Sequence, residues 1–422
     1  MFRRSFDKFS YGRAAIAAWQ QLDLLLLLTV LGLTGLGGIM IRSTELNQGP
    51  DATEWWQHWI VGGVGLAIVM WLSRSRYGLL RQWHWVTYAL TNICLIAVIA
   101  IGVSANGAQS WINIGSFNVQ PSEFAKVGLI ITLAALLHSR PASTLTSVFK
   151  VLIVALVPWV LVMLQPDLGT GLVFGAITLG MLFWANVNPG WIVLMLSPLV
   201  AALLYNLFLP GWFVWAILMG ILAWCTLPMR FVGTLGAVSL NVAAGGLAGI
   251  VWGLLKPYQK DRLVLFLQPE KDPLGGGYHL IQSRIAIGAG ELWGRGLNQG
   301  TQTQLNFIPE QHTDFIFSAI GEELGLVGSM AVLVGFWLIC LRLVFIAMNA
   351  NENFGSLLAI GTLSMIAFQA MVNISMTVGL APITGIPLPW LSYGRSALLT
   401  NFIAIGLVES VANHRHKFQF KG

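Results

Sequence analysis

Apolar and polar positions in this chain alternate on a long scale. Nearly uninterrupted apolar runs fall at about 22–42, 57–73, 84–103 and 121–138, and two more end near Leu164 and Ala185. Further runs fall at about 191–209, 212–227, 233–255, 314–346, 355–378 and 396–412. Each approaches the ~20 residues that a helix needs to cross a bilayer. The pattern predicts an all-α, polytopic integral membrane protein with about 12 spans.

Composition agrees: 56% of the residues are hydrophobic and 9% charged, against roughly 25% charged in soluble domains. That excludes a soluble enzyme, and nothing in the chain suggests nucleic-acid binding. The first run has no small-residue cleavage site after it and reads as a retained helix. Cys94, Cys225 and Cys340 each sit inside an apolar run and read as small hydrophobes. An even number of spans puts both termini on one side. That side carries 14 of the 23 Lys and Arg residues, the other side 8, and Lys126 lies within a helix. The positive-inside rule makes both termini cytoplasmic. Five of the eight outer cations lie in one interval and Lys256 lies just before it, against the usual bias, which suggests an anionic ligand there.

That interval, Tyr258 to Glu323, is the one long polar stretch, and it holds eight of the 17 acidic residues. A long loop in a compact protein is usually functional, and this one reads as an interfacial or re-entrant lid. Asp272 precedes Pro273, Leu274 and three glycines. The spacing fits either a turn-forming aspartate or a carboxylate held as a general base. Glu123 and Lys126 follow Pro121 at a helix start and share a helix face, as a structural ion pair, a functional one, or both. Asp167 opens the next-but-one run as a helix cap or more. His312 has no HxxxH or HExxH partner, so no metal site is expected. Glu322 and Glu323 fall inside an apolar run and need partners. Between Gly379 and Ala397, three prolines and three glycines forbid a regular helix. Such backbone at membrane depth must line a cavity or pack in protein.

Five stretches together, QPSEFAK, QPDLGTG, DPLGGGYHLIQSRIAIGAG, GTQTQLNFIPEQHTDFIFSAIGEELG and GLAPITGIPLPWLSYG, resemble the signatures of the SEDS family (shape, elongation, division, sporulation). The match runs from the first helix to the last. It implies a peptidoglycan glycosyltransferase in the bacterial inner membrane. The enzyme would polymerise lipid II into glycan strands during cell-wall elongation and rod-shape maintenance. The implied partners are a class B penicillin-binding protein, other elongation-complex membrane proteins and membrane lipid. No cofactor is implied as required, and a divalent cation is left open. Asp272 matches the family's essential aspartate, and Glu123 and Lys126 its paired residues. Arg262, Gln282, Ser283, Arg284 and His312 are further candidate substrate contacts, and Arg395, a departure from the family, is a candidate replacement for the cation missing at Ser110. The family places a basic residue where Ser110 stands, and glycine where Glu291 and Arg395 stand. It also has ten helices. A hairpin inserted at 191–227, within a single domain that carries a large outer loop at 256–313, would reconcile that number with twelve.

The chemistry fits. A carboxylate can take the proton of the attacking sugar hydroxyl, and cations can stabilise the departing lipid pyrophosphate. Lys126, Arg262, Arg284 and Arg395 are the cations on offer. A lipid II flippase is the alternative; it needs access from both sides, whereas polar groups here gather on one. A scaffold that only recruits the transpeptidase would leave Asp272 without a role.

Overall fold

The computed structural model describes residues 22–46, 55–105, 108–115, 117–139, 144–254, 272 and 277–414. The helices are α1 (Leu24–Glu45), α2 (Trp56–Arg74), α3 (Gly78–Gln82), α4 (His84–Ile101) and α5 (Pro121–Ser139). They continue with α6 (Leu145–Leu164), α7 (Leu168–Trp184), α8 (Pro189–Leu207), α9 (Leu209–Thr226) and α10 (Arg230–Leu254). The last are α11 (Tyr278–Ala289), α12 (Thr301–Gln304), α13 (Ile316–Met348), α14 (Asn353–Val378) and α15 (Arg395–His414). Ten of those described are long and apolar enough to cross a membrane, so the chain is a multi-pass membrane protein. Of the twelve spans expected, the two outside that set are α7, with 17 residues, and α2, whose first turn carries Gln57 and His58.

Local chemistry explains the helix ends. Asp23 caps α1, its carboxylate accepting from Leu26 N at 3.2 Å. Asn188 caps α8 with Pro189 in the first turn. α14 stops at Gly379, which takes φ 81°, the left-handed conformation glycine adopts freely. α13 is broken at Gly325, φ 66° and ψ −162°.

Two departures from the expected pattern appear. The stretch after α4 is a three-stranded antiparallel sheet, β1 (Val103–Ala105), β2 (Ala108–Ile114) and β3 (Phe117–Val119). In addition, part of the expected 256–313 loop is the helix α11, which packs on α13 and α14.

The chain divides into two compact units, one comprising 1–140, 150–181 and 278–422, the other 141–149 and 182–277. In the first, α15 lies along α2 at close range, and a Cβ on Gly65 would meet the Phe402 ring. In the second, α8, α9 and α10 pack on one another. Indole N–H groups join them: Trp191 donates to Thr226 O at 2.9 Å, Trp215 to Ser197 O at 3.1 Å and Trp212 to Asn241 O at 3.3 Å. Asn241 Nδ2 donates to Ser197 Oγ at 2.9 Å. Polar side chains bridging apolar helices are the usual glue where water is absent. All three cysteines are free thiols.

Candidate functional site

The first unit buries an ion pair. Pro121 sets the first turn of α5, Glu123 follows near the positive helix end, and Lys126 lies one turn on. Lys126 Nζ stands 2.7 Å from Glu123 Oε2, with the two side chains 1% and 3% exposed. The contact is ionic rather than a well-directed hydrogen bond. Both charges must be desolvated, at a cost of several kcal/mol per ion in proteins generally, so the pair is poor evidence for stability and better evidence for use.

A small, partly open cavity of about 40 Å³ adjoins the pair. It is lined by Gln120, Glu123 and Lys126 from the start of α5, Asp167 and Thr170 from the start of α7, Gln369 from α14, and Gly385 to Pro387. Asp167 acts as the cap of α7: it accepts from Thr170 N at 3.0 Å and Thr170 Oγ1 at 2.8 Å, and from Gln120 Nε2 at 3.3 Å. The Pro/Gly-rich stretch therefore lines a cavity, as its composition predicts. It is held from α14 by Asn373, whose Nδ2 donates to Ile386 O at 2.8 Å and Asp314 O at 2.9 Å. Gly385 takes φ 72°.

Elsewhere in the first unit the implied contacts are spread out. Ser283 is buried in α11, with its Oγ 2.6 Å from Ser318 Oγ and 2.7 Å from Thr377 O. Gln282 beside it is half-buried. Arg284 is exposed and donates to Gly379 O at 3.0 Å, capping α14. His312 O accepts from Tyr393 N at 2.8 Å, and the two rings meet edge-on at 6.0 Å. Burial lowers the His312 pKa from its ordinary value, partly offset by Glu310. Arg395 opens α15 and is half-buried. Ser110, where the family resemblance calls for a cation, is buried with no partner for its Oγ among the described residues. Among the described residues no ion pair joins Glu291 to Arg395.

In the second unit Asp272 is exposed, and its carbonyl accepts from Gly277 N at 3.1 Å. Arg262 lies outside the described residues. No group of three or more His, Cys, Asp or Glu side chains among the described residues could hold a metal ion.

Glu322 and Glu323 find their partners at the α13 break. Glu322 accepts from Gln302 N (2.8 Å), Thr303 N (2.9 Å), Thr303 Oγ1 (2.7 Å) and Thr301 Oγ1 (3.2 Å). Glu323 accepts from Ser43 Oγ at 2.6 Å. The backbone groups freed at Gly325 pair with the preceding loop: Leu326 N with Glu291 O, Val327 N with Leu292 O, and Arg295 N with Glu322 O.

Sequence reasoning missed Gln369. The available signal was an amide inside an apolar run, four residues before Asn373 and so on the same helix face.

The family of cell cycle proteins FtsW, RodA and SpoVE matches residues 21–214 and 210–417. The peptidoglycan glycosyltransferase RodA of Treponema pallidum (strain Nichols) is 37% identical, over 92% of this chain and 97% of that protein. The peptidoglycan glycosyltransferase MrdB of Escherichia coli (strain K12) is 36% identical, over 83% of this chain and 84% of its own length. A solved peptidoglycan synthase complex, described for its coordination of polymerization and crosslinking, contains a chain that is 28% identical with a TM-score of 0.71. The similarity covers 94% of this chain and 99% of that one.

Proposed function

Since the chain belongs to the FtsW, RodA and SpoVE family of cell cycle proteins, we propose that it is a peptidoglycan glycosyltransferase that polymerises lipid II into glycan strands for cell-wall elongation. The names of its relatives support the activity. The observation that carries the reading is the Glu123–Lys126 pair, buried beside a small polar cavity within a membrane protein. A structural protein gains little from so costly an arrangement.

In this reading Asp272 is the general base. It accepts the proton of the acceptor sugar hydroxyl as that oxygen attacks the anomeric carbon of the donor. The bond to the lipid pyrophosphate breaks, and the developing charge is met by cations. Arg262, Arg284 and Arg395 supply them. Arg284 is exposed, and only one of its five N–H donors is needed for the bond to Gly379 O. Lys126 is already matched by Glu123, so it shapes the cavity rather than offering a free charge. Exposure suits Asp272, which must reach a sugar head outside the bilayer while the lipid tail stays within it.

The cell-wall polymer and the bias of Lys and Arg along the sequence support a reading in which the protein lies in the bacterial inner membrane with both termini cytoplasmic. The proposed partner is a class B penicillin-binding protein, a reading supported by the similarity to a chain from a complex that coordinates polymerization and crosslinking. A flippase reading is not favoured by the relatives' names. The test is polymerisation of lipid II by purified protein with its partner. Asp272→Asn should remain folded and make no glycan chains; substantial polymer from that variant removes Asp272 as the base.

A further inference from the structure

The cavity beside the ion pair contains an unpaired acceptor. Gln369 is 1% exposed and lines the cavity, yet its Oε1 has no hydrogen-bond partner among the described residues. An unsatisfied buried polar atom ordinarily costs about 1–3 kcal/mol, and an apolar residue of the same shape would avoid that cost. Such an atom persists when something outside the chain satisfies it.

The other polar lining shows what is still on offer. The Asp167 carboxylate takes three bonds from Thr170 and Gln120. Asn373, one turn beyond Gln369 on α14, is not part of the lining; its Nδ2 is spent on two backbone carbonyls, and its Oδ1 has no partner among the described residues. Lys126 differs. An ammonium carries three N–H donors, and Glu123 engages it on one side. The cavity thus presents donors of Lys126 and an acceptor of Gln369 across a space of about 40 Å³. A sugar does not fit that volume, whereas each water needs roughly 10–15 Å³. Two or three waters, each with polar partners, are the complement in size and chemistry.

We infer that Gln369 is a positioning residue: through water held in this cavity, its Oε1 accepts from the Lys126 ammonium and fixes the orientation of the Glu123–Lys126 pair. The inference rests on the polymerase reading of the same site. It assigns the cavity a resident, water, and gives a role to a residue whose unpaired oxygen otherwise costs stability. The pair is held from two sides, by its own ionic contact along α5 and by the water from α14, so the rotamer of Lys126 depends on both helices.

The test compares wild type, Gln369→Met and Gln369→Asn, each purified with the partner transpeptidase, in lipid II polymerisation and thermal unfolding. Met matches glutamine in length and removes the acceptor. It should leave Tm unchanged or raise it, and lower kcat by about tenfold with KM within about twofold. Asn keeps the amide and leaves room for a further bridging water, so it should recover roughly a third or more of the activity. A map fine enough to show ordered water should reveal two or three in the cavity. A wild type that makes no polymer overturns the polymerase reading itself. A polymerising wild type matched by Gln369→Met overturns only the role of Gln369. So does a dry cavity, or activity in both variants that falls only in step with Tm.

Discussion

Two acidic sites are buried in the same unit, and they are solved in opposite ways. At the α13 break, Glu322 is saturated: two backbone N–H groups and two hydroxyls converge on its carboxylate. Glu323 beside it is held by Ser43 of α1. The donors there come from the chain itself. At the start of α5, Glu123 has one cation, and the pair faces a cavity that contains an unpaired amide oxygen. Burial alone does not distinguish a structural acid from a functional one. The difference lies in satisfaction: a saturated carboxylate shapes the backbone, and an unsaturated cluster awaits a ligand.

The largest effect expected from breaking this contrast is at the pair. Lys126→Ala leaves a carboxylate buried without its cation and should cost about 3–5 kcal/mol, read as a fall in Tm of the detergent-purified protein. Removing Glu123 as well takes away the uncompensated charge, so the double variant should lose less than the sum of the singles while polymerisation stays lost. Additive losses would mean that the two side chains do not interact.

Glu322→Gln comes next. An amide at that position turns a donor toward Gln302 N and Thr303 N, at a cost of about 1–3 kcal/mol. If saturation marks a structural role, Tm falls while the rate per folded molecule is kept. A variant with normal Tm and no polymerisation would dissolve the distinction drawn between the two sites.

The same contrast explains what was legible in the sequence. Membrane helices follow from long apolar runs, and α5, α13, α14 and α15 all lie close to their expected bounds. The Glu123–Lys126 pair was legible because a three-residue spacing on a helix is itself a geometric statement. The sheet at 103–119 was not: its strands have 3, 7 and 3 residues, too short for a period to show. Nor was the break at Gly325, because apolar residues continue through it, and the loop that receives its free groups is remote in sequence. Gln369 was legible only as an amide on the helix face of Asn373, and its unpaired oxygen was hidden for a third reason. An unpaired atom is a property of the packed interior, and no spacing encodes it.

The smallest effect concerns the loop that clamps the break. Glu291 takes φ 46°, a conformation in which a side chain is strained, and its carbonyl receives Leu326 N at 2.9 Å. The resemblance to the SEDS family calls for glycine at this position, and the backbone supplies the reason: glycine enters this region without penalty. Left-handed geometry costs a non-glycine residue about 1–2 kcal/mol. Glycine returns roughly 0.5–1 kcal/mol of that gain as extra freedom of the unfolded chain. Glu291→Gly should therefore raise stability by less than about 1 kcal/mol, while Glu291→Ala, which keeps the strain, should raise it little or not at all. A bridge from Glu291 to Arg395, the other position where the family has glycine, would predict a loss instead. The exposed Glu291 side chain and the absence of that ion pair among the described residues argue for the gain. Thermal unfolding of the two variants decides it: a lower Tm in Glu291→Gly than in wild type would show that the carboxylate, not the backbone, sets the balance at this loop.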